Sequence, residues 1–281
     1  MAFSLCFIGN SHLAAVKQAW TNRNPDVAPG VSVTFFSAGT HLLPQLRLED
    51  GAWVCASEPL REKIVYTSDG LDRIEFARYD AFALFGTGFG LDLAKLLADC
   101  DLPTGAGRDM EATPVSRACL AAVIETNLES ALAIRMIDTI RSVCDKPIML
   151  CAAPYLSQRV LEEEGLSGQA RLRDRALQAF AVSAAKEAGI KIAGRHGIEI
   201  VWQDESTMEP AGFTKKEFGI NPVRFAMRGF SVPPTDRKHG NEDYGYLSLM
   251  AALAGLQQLS GGRVLPEARN GRPRRASAKT T

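Results

Sequence analysis

Three side chains at the two ends of the chain could together break an ester. Ser11 lies two residues past the end of the apolar run Phe3 to Gly9 (FSLCFIG). Asp236 precedes His239 by three residues in the Pro-rich turn Ser231-Val-Pro-Pro-Thr-Asp236-Arg-Lys-His239-Gly240. A serine hydroxyl is a weak nucleophile until a base takes its proton. At this spacing the Asp236 carboxylate can reach the Nδ1 proton of the His239 ring and leave Nε2 facing a hydroxyl. Each residue also has a plainer reading. Ser11 could be only the N-cap of a helix, and Asp-x-x-His could be a surface turn that caps the next helix.

The elements needed to position these groups can be read from the hydrophobic pattern. Phe3 to Gly9, Val31 to Phe36, Ala81 to Phe85, Pro147 to Ala153 and Ile198 to Trp202 are short apolar runs ended by small or turn residues, the signature of buried strands. Between them lie helical patterns. One runs from Leu13 to a breaker at Asn22–Pro25, Ser116 to Val143 forms one helix or two, Gly168 to Ala188 ends at Gly189, and a final helix spans Asn241 to Leu259. That last helix is expected to pack through Tyr244, Leu247, Met250, Leu253 and Leu256. Thr214-Lys-Lys-Glu217 fits a capping box opening a short helix. Lys63 to Thr67, the turn Ser68-Asp69-Gly70 and Asp72 to Phe76 predict a β-hairpin insertion. Alternating strands and helices predict an α/β fold, a three-layer αβα sandwich with a mainly parallel sheet. In such a sheet ligands sit at the carboxyl ends of the strands. Those ends carry Gly9-Asn10-Ser11-His12, Ser37-Ala38-Gly39-Thr40, Gly86-Thr87-Gly88-Phe89-Gly90 and Ala153-Pro154-Tyr155. Their small residues leave backbone N–H groups open to a negative oxygen.

The two ends of the chain resemble the SGNH (GDSL-type) hydrolases. Phe7-Ile8-Gly9-Asn10-Ser11-His12 is similar to that family's first block, with Asn10 in place of the usual Asp. Asp236-Arg-Lys-His239-Gly240-Asn241 resembles its last block. The resemblance covers the order of elements to about Leu259. It implies a serine esterase acting on O-acyl esters, O-acetyl groups on carbohydrate among them, in which Ser11, His239 and Asp236 form the triad. It also implies Gly39 as a backbone oxyanion donor. The family's third block reads Gly-x-Asn-Asp, and here Gly86-Thr87-Gly88-Phe89 puts Gly88 at the Asn position. A backbone N–H at Gly88 is then the substitute, and the loss of one donor typically costs on the order of 10²–10³ in kcat. An O-acyltransferase with the same triad and a non-catalytic glycan-binding protein of the same fold are the alternatives.

Composition narrows the classes further. The 281 residues carry 32 Lys plus Arg against 32 Asp plus Glu, so broad electrostatic binding to nucleic acid or an anionic membrane is disfavoured. No Walker sequence appears, and Gly86-x-Gly88-x-Gly90 is not a dinucleotide fingerprint because Leu follows it. Four scattered histidines (His12, His41, His196, His239) lack zinc-site spacing, so neither metal nor cofactor is expected. The expected partner is a small-molecule or saccharide ester. The six cysteines form no Cys-x-x-Cys pair and read as small buried thiols of a reducing, cytoplasmic compartment. Residues 1–260 are expected to form the α/β domain, and Gly261 to Thr281, with six basic residues against Glu267, a disordered basic tail.

Overall fold

The computed structural model describes residues 3–92, 96, 100–101, 113–162, 174–210, 212–225 and 236–260. The basic tail and the first residues of the helix expected from Gly168 lie outside the described residues. In chain order the elements are β1 (Phe3–Gly9), α1 (Leu13–Val27), β2 (Val31–Ser37), β3 (Leu46–Glu49), β4 (Ala52–Cys55), α2 (Glu58–Thr67), β5 (Arg73–Glu75) and β6 (Ala81–Phe85). There follow a two-residue parallel pair, β7 (Cys100–Asp101) with β8 (Thr113–Pro114), then α3 (Arg117–Glu129), α4 (Leu132–Arg141), β9 (Ile148–Cys151), α5 (Arg175–His196), β10 (Glu199–Val201) and α6 (Glu242–Leu259).

Five strands form one parallel sheet in the order β10-β9-β6-β1-β2. Its central strands are apolar on both faces because both faces are covered. Leu5, Phe7, Ala83 and Phe85 pack against Leu13, Val16 and Trp20 of α1 and Leu249, Leu253 and Leu256 of α6. Cys6, Ile8, Phe82 and Leu84 pack on the other face, against Leu60 and Ile64 of α2 and the buried sides of α3, α4 and α5. This is the expected three-layer sandwich. Phe7 is fully buried among Phe35 and Phe85, with centroids 5.3 and 5.2 Å away. Burial of such a side chain is worth roughly 1.5–3 kcal/mol.

The sheet order matters for function. From β1 the chain moves outward to β2, then returns to β6 on the other side of β1. The connections therefore part at β1 and β6 and open a crevice at their carboxyl ends. Ser11 stands at that crevice.

Several local expectations are corrected. Lys63 to Thr67 is not a strand but the end of α2, whose Leu60, Ile64 and Thr67 fall on one buried face. Ser68-Asp69-Gly70 terminates that helix: Gly70 N–H donates to Val65 O at 2.9 Å, with Asp69 at φ +60° and Gly70 at φ +115°. Antiparallel pairing does occur nearby, but β4 pairs with β3 and β5. α1 continues through Asn22–Pro25 to Val27, and Asn22 and Arg23 donate hydrogen bonds to Glu242 at 2.7 and 3.3 Å. α5 passes Gly189, where a side chain would meet the Trp202 ring at 2.7 Å, and ends at Gly197 with φ +59°. No capping box forms at Thr214; a short 3₁₀ turn, Lys216–Gly219, follows Lys215 with no side-chain cap. In α6, Leu249 and Ala252 are buried where Leu247 and Met250 were expected. Cys6, Cys55, Cys119, Cys144 and Cys151 are free thiols, and of these only Cys6 and Cys151 are buried.

Candidate active site

Each of the three side chains is delivered by a different local device. Ser11 lies in the tight turn between β1 and α1, where Leu13 N–H and Ala14 N–H donate to Asn10 O and Ser11 O. Its hydroxyl does not cap α1, which has no side-chain cap bond. Instead Ser11 Oγ lies 2.7 Å from His239 Nε2. The segment around His239 is stapled to the body by backbone bonds. Ser157 N–H donates to Arg237 O at 2.8 Å, Val223 N–H to Gly240 O at 2.9 Å, and Asn241 N–H to Phe218 O at 2.9 Å. Asn241 then caps α6 through Tyr244 N–H at 3.1 Å.

Asp236 sits behind the ring. Its Oδ1 and Oδ2 lie 3.0 and 2.9 Å from His239 Nδ1. Oδ1 also accepts the backbone N–H groups of Lys238 and His239, at 3.0 and 3.1 Å. The Asp236 side chain is 2% exposed and that of His239 9%, so little water competes for the pair. Burial raises the Asp236 carboxyl, but the N–H donors of Lys238 and the contacts with His239 outweigh it and hold the group down at about 2. Burial lowers the basicity of His239, and Asp236 partly restores it. A neutral ring whose Nδ1–H donates to Asp236 presents the Nε2 lone pair to Ser11 Oγ, the arrangement a general base needs.

His12, next to the serine, stacks on His239 with centroids 4.8 Å apart. Burial first, and then the His239 ring, lower it to about 3, so it is neutral at ordinary pH. His41 is exposed, its ring lying against Gly39, where an added Cβ would meet it at 2.7 Å. His196 is not a loop residue but the last residue of α5, 2.8 Å from Asp138 and 3.1 Å from Glu129.

Among the described residues none accepts a hydrogen bond from the N–H of Ser11, Gly39 or Gly88. Gly88 (φ +81°) lines a cleft of about 170 Å³ together with Asn10, His12, Thr40, Pro154 and Lys238. Gly39 immediately precedes Thr40. The turn that presents Gly88 is strained: Gly86 has φ +65° and Thr87, a buried β-branched residue, φ +48°. Such a conformation costs about 1–3 kcal/mol and is held here by neighbours, Ala133 N–H donating to Thr87 O at 3.0 Å. Across the cleft mouth Lys238 Nζ pairs with Asp92 at 2.7 Å.

One residue at the site gave no signal in the sequence. Arg224 places Nη2 2.5 Å from Asp236 Oδ2 and Nε 3.2 Å from His239 Nδ1. It lies twelve positions before Asp236, outside every motif, and only the fold brings it there. Among the described residues no group of three His, Cys, Asp or Glu side chains could hold a metal ion. Among them, too, no helix is long and apolar enough to cross a membrane.

No family model and no curated protein matches the sequence. Solved structures similar to the chain include an extracellular lipase from Streptomyces rimosus, at 13% identity and TM-score 0.46, covering 90% of this chain and 100% of that one. Another is the periplasmic domain of a lipopolysaccharide acetyltransferase from Salmonella Paratyphi A, at 11% identity and TM-score 0.43, covering 91% and 84%. A third is an acetyl xylan esterase from the rumen bacterium Butyrivibrio proteoclasticus, at 10% identity and TM-score 0.38, covering 92% and 65%. With TM-scores below 0.5, the fold assignment rests on the sheet order and layers described above.

Proposed function

We propose that the chain is a serine esterase of SGNH type that cleaves O-acyl esters through a covalent acyl-enzyme. The observation that carries this reading is the 2.7 Å contact between Ser11 Oγ and His239 Nε2 with Asp236 behind the ring. Residues 228 positions apart meet in the order nucleophile, base, carboxylate, at the edge of the sheet where ligands bind.

In the proposed reaction His239 Nε2 takes the Ser11 proton as Oγ attacks the ester carbonyl. Asp236 holds the imidazolium that results. The carbonyl oxygen becomes an oxyanion, and the N–H groups of Ser11, Gly39 and Gly88 are its donors. The intermediate collapses, the C–O bond to the alcohol breaks, and His239 gives its proton to the leaving oxygen. Water, deprotonated by the same ring, then attacks the acyl-Ser11 ester; the C–Oγ bond breaks, His239 returns the proton to Ser11 Oγ, and the acid is released. The small cleft favours a short acyl group. The polar residues around it (Asn10, Thr40, Asp92 and Lys238) suit a sugar as the alcohol.

The test is replacement of Ser11 by Ala, with p-nitrophenyl acetate hydrolysis measured on folded protein. Hydrolysis should fall to background, and activity within a few-fold of wild type rejects the mechanism. Labelling by a fluorophosphonate followed by peptide mapping should find the adduct on Ser11. Transfer of the acyl group from the same intermediate to a saccharide hydroxyl would assign the chain as an acyltransferase, and product analysis with a saccharide acceptor separates the two. No adduct on Ser11, alongside measurable sugar binding, would favour the non-catalytic reading to which the missing side chain at Gly88 points.

A further inference from the structure

Among the described residues, Arg224 is the one basic side chain that touches both partners of the Asp–His pair. Its guanidinium reaches Asp236 Oδ2 at 2.5 Å through Nη2, and its Nε lies 3.2 Å from His239 Nδ1. This placement is built into the backbone. The segment leading to Arg224 is tied to the residues just after His239 by Val223 N–H to Gly240 O and by Asn241 N–H to Phe218 O, both 2.9 Å. The Asp236 carboxylate is thus divided. Oδ1 takes the two backbone N–H groups, and Oδ2 is shared by Arg224 and the imidazole.

An arginine cannot accept a hydrogen bond. When Nδ1–H donates to Asp236, Nε–H of Arg224 faces that same N–H edge, so its contribution to the ring is electrostatic. A cation there costs most when the imidazole is itself charged. We propose that Arg224 is a positioning residue that clamps Asp236 and, by holding its charge beside His239, sets the pH at which the imidazole is free to take the Ser11 proton. This inference rests on the esterase reading of the same site.

The charged and titratable groups that face the imidazole can be named. They are Asp236 and Lys238 from its own loop, Arg224 from the neighbouring segment, and His12 from the start of α1. Lys238 directs its ammonium to Asp92. His12 takes a proton only near pH 3. The rising limb of a pH–rate profile above that range therefore belongs to His239. Removing the Arg224 charge makes the imidazolium easier to form, so the base is freed only at higher pH.

The experiment is the rate of Ser11 labelling by a fluorophosphonate between pH 5 and 9, for wild type, Arg224→Gln and Arg224→Lys. In Arg224→Gln the rising limb should move to higher pH by about one unit. Arg224→Lys keeps the charge and should hold the limb near its wild-type position, while reacting more slowly because the planar guanidinium that clamps Asp236 is lost. A uniform loss of rate with an unmoved limb in Arg224→Gln overturns the proposal, because a merely structural arginine behaves that way. Should Arg224→Gln fail to fold, a limb in Arg224→Lys displaced upward as far as one unit overturns it equally. Wild-type protein that is not labelled on Ser11 at any pH defeats the esterase reading itself, an outcome distinct from a labelled protein whose limb ignores position 224.

Discussion

The His12 ring lies on the His239 ring, with centroids 4.8 Å apart and planes inclined by 27°. Two imidazoles this close cannot both be charged without strong repulsion. The division of labour is set by surroundings. His239 has a carboxylate behind it, whereas His12 Nδ1 is buried with no hydrogen-bond partner among the described residues. Ser11 thus has one titrating neighbour and one neutral ring that walls the base.

That neutral ring has a thermodynamic consequence. In the unfolded chain His12 takes a proton below about pH 6.5, and in the folded chain only near pH 3. Between those values the unfolded state binds more protons, so stability is complete above about 6.5 and falls as the pH drops. His12→Phe removes this titration. Urea unfolding at pH 4, 5, 6 and 7 should give a shallower loss of stability than wild type, by at most about 1.4 kcal/mol per pH unit. Equal slopes would mean that His12 is protonated in the folded protein. Asp236, held at about 2, acts in a lower window, contributing stability that is lost only below pH 3.8.

Asp236→Asn tests the carboxylate while keeping its shape. The amide can still lie behind the ring, but it neither fixes the productive tautomer nor balances an imidazolium. Labelling and ester hydrolysis should fall by on the order of 10³–10⁴ with the circular dichroism unchanged. A drop of only a few-fold would show that His239 does not depend on Asp236.

Much of this site was legible in the sequence because its signals are local. An apolar run ended by Gly9 announces β1 and puts Ser11 at its carboxyl end, and Asp236 and His239 lie within one turn of each other. The central strands β1, β6 and β9 were legible for the same reason: covered on both faces, they are nearly unbroken apolar runs. Misreadings arose where tertiary contact overrides local preference. Ile64, Val65 and Thr67 are β-branched, yet Ile64 and Thr67 with Leu60 make a helical face on the sheet. Gly189 looks like a helix stop but is a packing site for Trp202. Arg224 was invisible because an ion pair across the fold leaves no periodicity behind.

Gly86 links the strained turn to the nucleophile. A Cβ there would lie 2.9 Å from Asn10 Oδ1 and 3.2 Å from His12 Cδ2, and the backbone is left-handed at φ +65°. Asn10 Oδ1 accepts His12 N–H at 3.1 Å and Nδ2 donates to Thr40 at 3.2 Å, so it has little room to yield. Gly86→Ala should cost roughly 1–3 kcal/mol of stability. It should also slow Ser11 labelling more than tenfold, as the turn holding Ser11 and His12 is pushed aside. A variant of wild-type stability and labelling rate would show that the crevice wall is compliant.

Gly245 sets how closely α6 can approach α1. A Cβ at that position would stand 2.1 Å from Ala15 O and 2.8 Å from Val16 N, which is backbone and cannot rotate away. Gly245→Ala must therefore part the two helices or bend one of them, despite the gain in helix propensity of about 1 kcal/mol that alanine brings. Overpacking of this kind typically costs 1–3 kcal/mol, so the net change should be a loss, read as a lower urea midpoint. The movement also reaches the chemistry. Asn241, which opens α6, follows His239 by two residues, and α1 begins two residues after Ser11. Parting α1 from α6 lengthens the Oγ to Nε2 contact, and labelling of Ser11 should slow with KM for p-nitrophenyl acetate little changed. If stability falls while labelling keeps its wild-type rate, the loop bonds to Ser157 and Val223, rather than the helix pair, hold His239 in reach of Ser11.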